Sequence, residues 1–228
     1  MGILNITSLS ETVDAINEAY FLGRPPTSAE RIQAAKWIAT RQGKPGSYAG
    51  MFAPMPDEAT NGLRLFTGEF IRSRAGSCHI IGEEACRSLL LLDVADVGIT
   101  TALERSTQNM LARIEANESD NKVSGMYCCG NCSAAYWRNV IAGGLNKQEE
   151  RLNAGMQSLK SLRKGDGKWW RFPVYYTLLA QSEMETKPAL EEMHYAAPVL
   201  ERSIKKSPAN DKYSQRRRIL TERILAKC

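Results

Sequence analysis

Residues Lys164–Thr177 read KGDGKWWRFPVYYT and place two of the four tryptophans of a 228-residue chain beside a glycine-rich turn. Gly165 and Gly167 permit a tight reversal, and Pro173 suits a first helical turn, where its missing amide costs nothing. The stretch reads mainly as the point where one helix hands over to the next. Trp169, Trp170, Phe172, Tyr175 and Tyr176 then pack the turn and the core, with one or two of them left to face a ligand.

Outward from this turn, apolar residues recur at helical spacing: Val13, Ile16 and Tyr20; Leu103, Thr107, Met110, Leu111 and Ile114; Trp137, Val140 and Ile141; Leu152, Met156 and Leu159. Period-two alternation is scarce, so the chain reads as all-α. A side-chain oxygen followed three residues later by Glu marks helix starts at Ser8, Thr27, Thr101 and Asn146. Gly43, Gly98, Gly144 and Gly165 read as stops. The short loops RPPTSAE (24–30) and KSPANDK (206–212) are too short for domain linkers. One domain over 1–228 is expected, with a repeat body over about 28–185 and basic C-terminal helices over about 188–228.

The turn has relatives within the chain. Gln42-x3-Gly46-x-Tyr48, Asn121-x3-Gly125-x-Tyr127 and Arg163-x3-Gly167-x-Trp169 share one pattern, and Arg72-x3-Gly76-x-Cys78 is a degenerate fourth copy. Each copy follows an amphipathic segment and precedes another, so the unit is helix, glycine turn, helix. The pattern resembles the Gln-x3-Gly-x-Trp repeat of the terpenoid (squalene) cyclase and protein prenyltransferase superfamily of α/α toroids, over roughly Ser28–Glu183. The resemblance implies hairpins curved into an open arc or small toroid, with inner helices around a concave cavity. Trp169, Trp170, Tyr127, Tyr48 and Tyr175 would line that cavity, and Glu83 or Asp166 would supply polarity. Aromatic walls suit an apolar small molecule, a prenyl chain, a carbocation or a peptide. The chain departs from the family in its acids: LDVADV offers Asp93 and Asp96 but no Asp-x-Asp-Asp, and the family's Asp, Cys and His zinc set does not map residue by residue. Fold analogy therefore carries no activity with it.

The most chemically suggestive segment is MYCCGNCSAAYW (126–137). Cys129-Gly130-Asn131-Cys132 is a Cys-x-x-Cys just before an amphipathic helix, whose first amides stabilise a thiolate. Cys78 falls at nearly the same repeat phase as Cys128 and Cys129. With His79 and Cys86 nearby in sequence, these residues are candidate ligands for zinc or an iron–sulfur cluster, or a dithiol pair. The competing reading treats the cysteines as small apolar packing residues, Glu83 and Glu84 as first-turn acids of a helix, and His194 as an ordinary helix residue. Glu69 is a further candidate acid. No Walker loop, dinucleotide fingerprint, serine elbow or His-Glu-x-x-His occurs.

Composition narrows the classes. Hydrophobic residues make up 43% of the chain, ample for a core. Six cysteines are too few for a disulfide scaffold. No run approaches the roughly 18 apolar residues of a membrane span, and neither a secretory signal nor a lipidation motif is evident, so a cytoplasmic protein is expected. The net charge of +5 resides in residues 200–228, with nine basic residues against three acids, including Arg216, Arg217 and Arg218. A solvated helix face explains it better than nucleic-acid binding does. Three readings stay open: an apolar or peptide ligand in an aromatic cavity, a helical scaffold for a protein partner or an oligomer, and a cysteine-centred metal or redox protein.

Overall fold

The computed structural model describes residues 2–116, 118, 123, 125–204 and 210–228; Asn121 of the Gly125 repeat copy and residues 206–209 of the last loop fall outside them. The fold is all-α: α1 (Leu9–Phe21), α2 (Ser28–Ala39), a short 3₁₀ turn (Tyr48–Gly50), α3 (Pro56–Asn61), α4 (Arg74–Leu92), α5 (Val97–Glu115), α6 (Gly130–Ile141), α7 (Gln148–Ser161), α8 (Val174–Ser182), α9 (Lys187–Ile204) and α10 (Lys212–Leu225). A two-residue hairpin, β1 (Leu63–Arg64) against β2 (Phe70–Ile71), joins α3 to α4, pairing Leu63 with Ile71 and Arg64 with Phe70. Among the described residues no helix is long and apolar enough to cross a membrane.

Alternate helices are neighbours. α4 packs on α6, α6 on α8 and α8 on α10, while α7 packs on α9 along one flank, and α1, α2, α3 and α5 surround α4. Burial follows this order: fourteen of the nineteen residues of α4 and ten of the twelve of α6 are buried, against five of fourteen in α7. A helix surrounded on all sides has no amphipathic stripe, which is why α4 gave no periodic signal. One apolar core cluster draws residues from every α-helix except α3.

The helix starts are met in part. Ser8 caps α1 by accepting from the Glu11 amide, and Thr27 with Glu30 forms a capping box on α2. Thr101 lies inside α5, whose cap is Asp96, accepting from the Gly98 and Ile99 amides; Gly98 is thus part of a helix start and not a stop. Lys147, not Asn146, precedes α7. Asp96 wins over Thr101 because it satisfies two first-turn amides at once.

Two copies of the glycine motif share a local structure. Gly46 and Gly167 both have positive φ, 93° and 84°, and the residue four before each forms a single antiparallel bridge, Gln42 with Phe52 and Arg163 with Trp169. The copy at Arg72–Cys78 does not belong with them: Gly76 lies in the first turn of α4, giving its amide to the Ser73 cap. Gly125 serves close packing. A Cβ on Gly155 of α7 would lie 2.7 Å from the Gly125 carbonyl and 2.5 Å from Trp137 Nε1, and that Nε1 donates to the Gly125 carbonyl at 2.6 Å. Gly155→Ala is expected to lower unfolding free energy by about 1–3 kcal/mol in urea denaturation, since backbone blocks the added methyl.

Charges inside the helix array are paired. Glu84 of α4 accepts from Arg138 Nη1 of α6, from Tyr176 Oη of α8 at 2.5 Å and from Asn17 Nδ2 of α1 at 3.0 Å. Glu183, after α8, accepts from Arg87 Nη2 at 2.9 Å and from Arg138 Nη2 at 3.0 Å. Burial alone would raise the Glu84 carboxyl; Arg138 first, then Arg87, Tyr176 and Asn17, outweigh it and hold the group below the usual carboxylate range. At the rim of the array, Arg216 of α10 donates to both Asp14 oxygens of α1, at 2.7 and 2.9 Å, and to Glu18.

Candidate metal and thiol site

One face of α4 meets the turn that opens α6. His79, deep in α4, is enclosed by two rings: Tyr48 of the 3₁₀ turn, with centroids 4.4 Å apart, and Tyr127, at 4.2 Å. The two tyrosine hydroxyls bond each other, and Arg113 Nε of α5 donates to both, at 2.8 and 3.2 Å. Tyr127 is held by its amide, which donates to Ser133 Oγ at 2.9 Å in the first turn of α6.

His79 Nε2 lies 3.2 Å from Glu83 Oε1, one turn along α4, and Glu83 Oε2 accepts from Asn139 Nδ2 of α6 at 2.6 Å. A carboxylate on Nε2 favours the proton there and leaves Nδ1 with its lone pair. Nδ1 is buried and makes no well-directed hydrogen bond among the described residues. Burial on its own would lower the proton affinity of the ring, but the Cys128 thiol and the Glu83 carboxyl together raise it.

Two thiols lie beside this ring. One ligand atom each from His79, Cys128 and Cys132 lies within 4.8 Å of the others. Ligands sharing a tetrahedral zinc, with Zn–S of about 2.3 Å and Zn–N of about 2.0 Å, stand about 3.5 Å apart, so a modest side-chain rotation closes the set. Cys132 is buried, whereas Cys128 and Cys129 are exposed. Cys129 is the cap of α6, its sulfur accepting from the Cys132 amide at 3.4 Å. The hydrogen bond from the Cys132 thiol, then the Cys132 amide, the Cys128 thiol and the Asn131 amide, lower the Cys129 thiol to about 5 against its burial. The same hydrogen bond, with burial, pushes Cys132 far up. One thiol of the pair is thus exposed, and its partner is held back inside.

The other candidates go elsewhere. Cys78 is buried beside Arg74, and burial raises its thiol; Cys86 is buried two turns beyond His79, its thiol raised first by burial and then by Glu83. Neither belongs to the ligand group: Cys78, next to His79, points to a different face of α4, and Cys86, on nearly the same face, lies two turns, about 10 Å, further along the helix. Glu83 is a mid-helix residue, since α4 begins at Arg74, so the reading of Glu83 and Glu84 as first-turn acids is corrected. The aromatic residues divide. Trp169 is only 3% exposed and donates from Nε1 to Glu192 at 2.8 Å against Tyr195 of α9. Trp170 is 60% exposed under Lys164. Tyr175 bonds Ser203 and lies under Arg217, beside a hollow of about 80 Å³. Asp166 accepts from the Lys168 amide within its turn. Only Tyr48, Tyr127 and Glu83 of the cavity set come together, and they do so around His79. Glu69 accepts from Thr67 and the Tyr176 amide, and His194 is exposed.

Asn139, Ser133 and Arg113 had no sequence signal pointing to the site. The four-residue spacing of His79 and Glu83 was such a signal, because it stacks two side chains on one helical face. No family model, curated protein or solved structure matches this chain.

Proposed function

We propose that this protein binds a thiolate-preferring metal ion, zinc foremost, through His79 Nδ1, Cys128 Sγ and Cys132 Sγ. The observation that carries the reading is the convergence of a His79 ring nitrogen from α4 with the Cys128 and Cys132 sulfurs of the α6 turn, in a ring whose buried Nδ1 has no hydrogen-bond partner among the described residues. A soft sulfur-rich set favours zinc over magnesium or calcium, and three protein ligands leave a fourth position for water or an incoming group. Glu83 and Asn139 hold the imidazole as outer-shell partners of metal-bound histidine do.

The test is elemental analysis of protein purified without oxygen, with zinc binding measured by chelator competition. Stoichiometric zinc supports the reading; protein that neither carries nor takes up zinc, iron or copper overturns it. Glu83→Gln keeps the size of the side chain but removes its charge, and is expected to weaken zinc binding about 10- to 100-fold by the same competition. The succession of α4, α6, α8 and α10 favours, as part of this proposal, an arc of hairpins like that of the toroid superfamily, with the metal site at one end of the hairpins.

A further inference from the structure

We infer that Cys129 and Cys132 give the same turn a second activity, thiol–disulfide exchange with a low-molecular-weight disulfide, which withdraws Cys132 from the metal site and releases the ion. The release rests on the metal reading above, whereas the exchange needs only the two thiols.

Three observations carry it. Cys129 is exposed and Cys132 is buried, so an incoming disulfide reaches the first and not the second. The Cys129 sulfur caps α6 by accepting from the Cys132 amide at 3.4 Å, which brings the two residues onto one side of the helix mouth. Cys132 belongs to the ligand group with His79 and Cys128, while Cys129 does not. Cys132 therefore has two alternative partners, a metal ion or Cys129, and cannot serve both.

The chemistry balances. The Cys129 thiolate attacks one sulfur of a small disulfide, forming a mixed disulfide and expelling one small thiolate. Cys132 sulfur then attacks Cys129 Sγ, breaking the mixed disulfide and expelling the second thiolate, which takes up the Cys132 proton when no metal is bound. Two protein thiols are oxidised by two electrons, and the small disulfide is reduced to two thiols. The zinc ion undergoes no redox change. It keeps only His79 and Cys128 and dissociates.

The experiment treats zinc-loaded full-length protein with oxidised glutathione in the absence of oxygen. Zinc release is followed with a chromophoric chelator, and disulfides are mapped by mass spectrometry. A Cys129–Cys132 disulfide forming in step with zinc release is expected. Cys129→Ser should still bind zinc, since serine is itself a good helix cap, and should release it at least about tenfold more slowly because the attacking thiolate is gone. Equal release rates in the two proteins, or a disulfide mapped to other cysteines, overturn the inference while leaving the metal reading intact. Protein that takes no zinc yet forms the Cys129–Cys132 disulfide overturns the metal reading and leaves the exchange standing.

Discussion

Alanine at His79 is expected to take the zinc content of anaerobically purified protein from about one equivalent to background, because two thiols alone do not outcompete a chelator. His79 contributes the only nitrogen to the ligand group, and its ring is enclosed by Tyr48 and Tyr127, so its removal also leaves a cavity. Cys132→Ala separates the two effects: it removes a ligand on α6 without disturbing the rings and is expected to lose zinc equally. His194→Ala, at an exposed position on α9, should retain the metal. Added zinc should raise the melting temperature of the natural protein and of His194→Ala, and leave those of His79→Ala and Cys132→Ala unmoved; at about 100 times Kd the gain corresponds to about 2.7 kcal/mol.

Arg138→Met is expected to cost about 3–5 kcal/mol of unfolding free energy at neutral pH, because breaking a buried pair strands its partner. Arg138 is fully enclosed and serves Glu84 and Glu183 together. The pH dependence carries the sign. In the natural protein Glu84 is held below its ordinary value, so its contribution is complete above the carboxylate range and is lost as pH falls through the depressed folded pKa. Without Arg138 burial dominates and raises Glu84, so protonation favours the folded variant, and the deficit between the two proteins should narrow as pH falls. Urea titrations at neutral pH and at about pH 5 check this. A deficit that stays constant with pH would assign the loss to packing. Glu84→Gln added to Arg138→Met should recover part of the stability, since it removes one stranded charge.

The sequence made the helical class legible through α1, α5, α6 and α7, whose apolar residues recur at helical spacing. It left α4 unread, because a helix enclosed by α1, α2, α3, α5 and α6 has no stripe to show, and its charged residues looked like a helix start. The Cys128–Cys132 turn announced itself by composition, and His79 was named with it. What local pattern cannot supply is which face and which turn of α4 meet α6, and that packing brings His79 to Cys132 while Cys78 points elsewhere and Cys86 lies two turns away. The aromatic cavity was legible only as a collection of rings. Trp169 found a carboxylate on α9 and Tyr175 an arginine on α10, partners far off in the chain whose choice depends on tertiary packing.

Arg216 has a consequence for how the protein assembles. Its two bonds to Asp14 join residues 202 apart in the chain, so they close a very long loop. Contacts of such separation form late and slow the folding reaction. On a ribosome, Asp14 of α1 would wait for the 202 residues that separate it from Arg216 before meeting its guanidinium, while α4 and α6 already have each other. The interior pair that carries the thiol turn is therefore expected to be the early-folding unit, and the seal between α1 and α10 the last step, visible as a slow phase that Arg216→Met would abolish or alter.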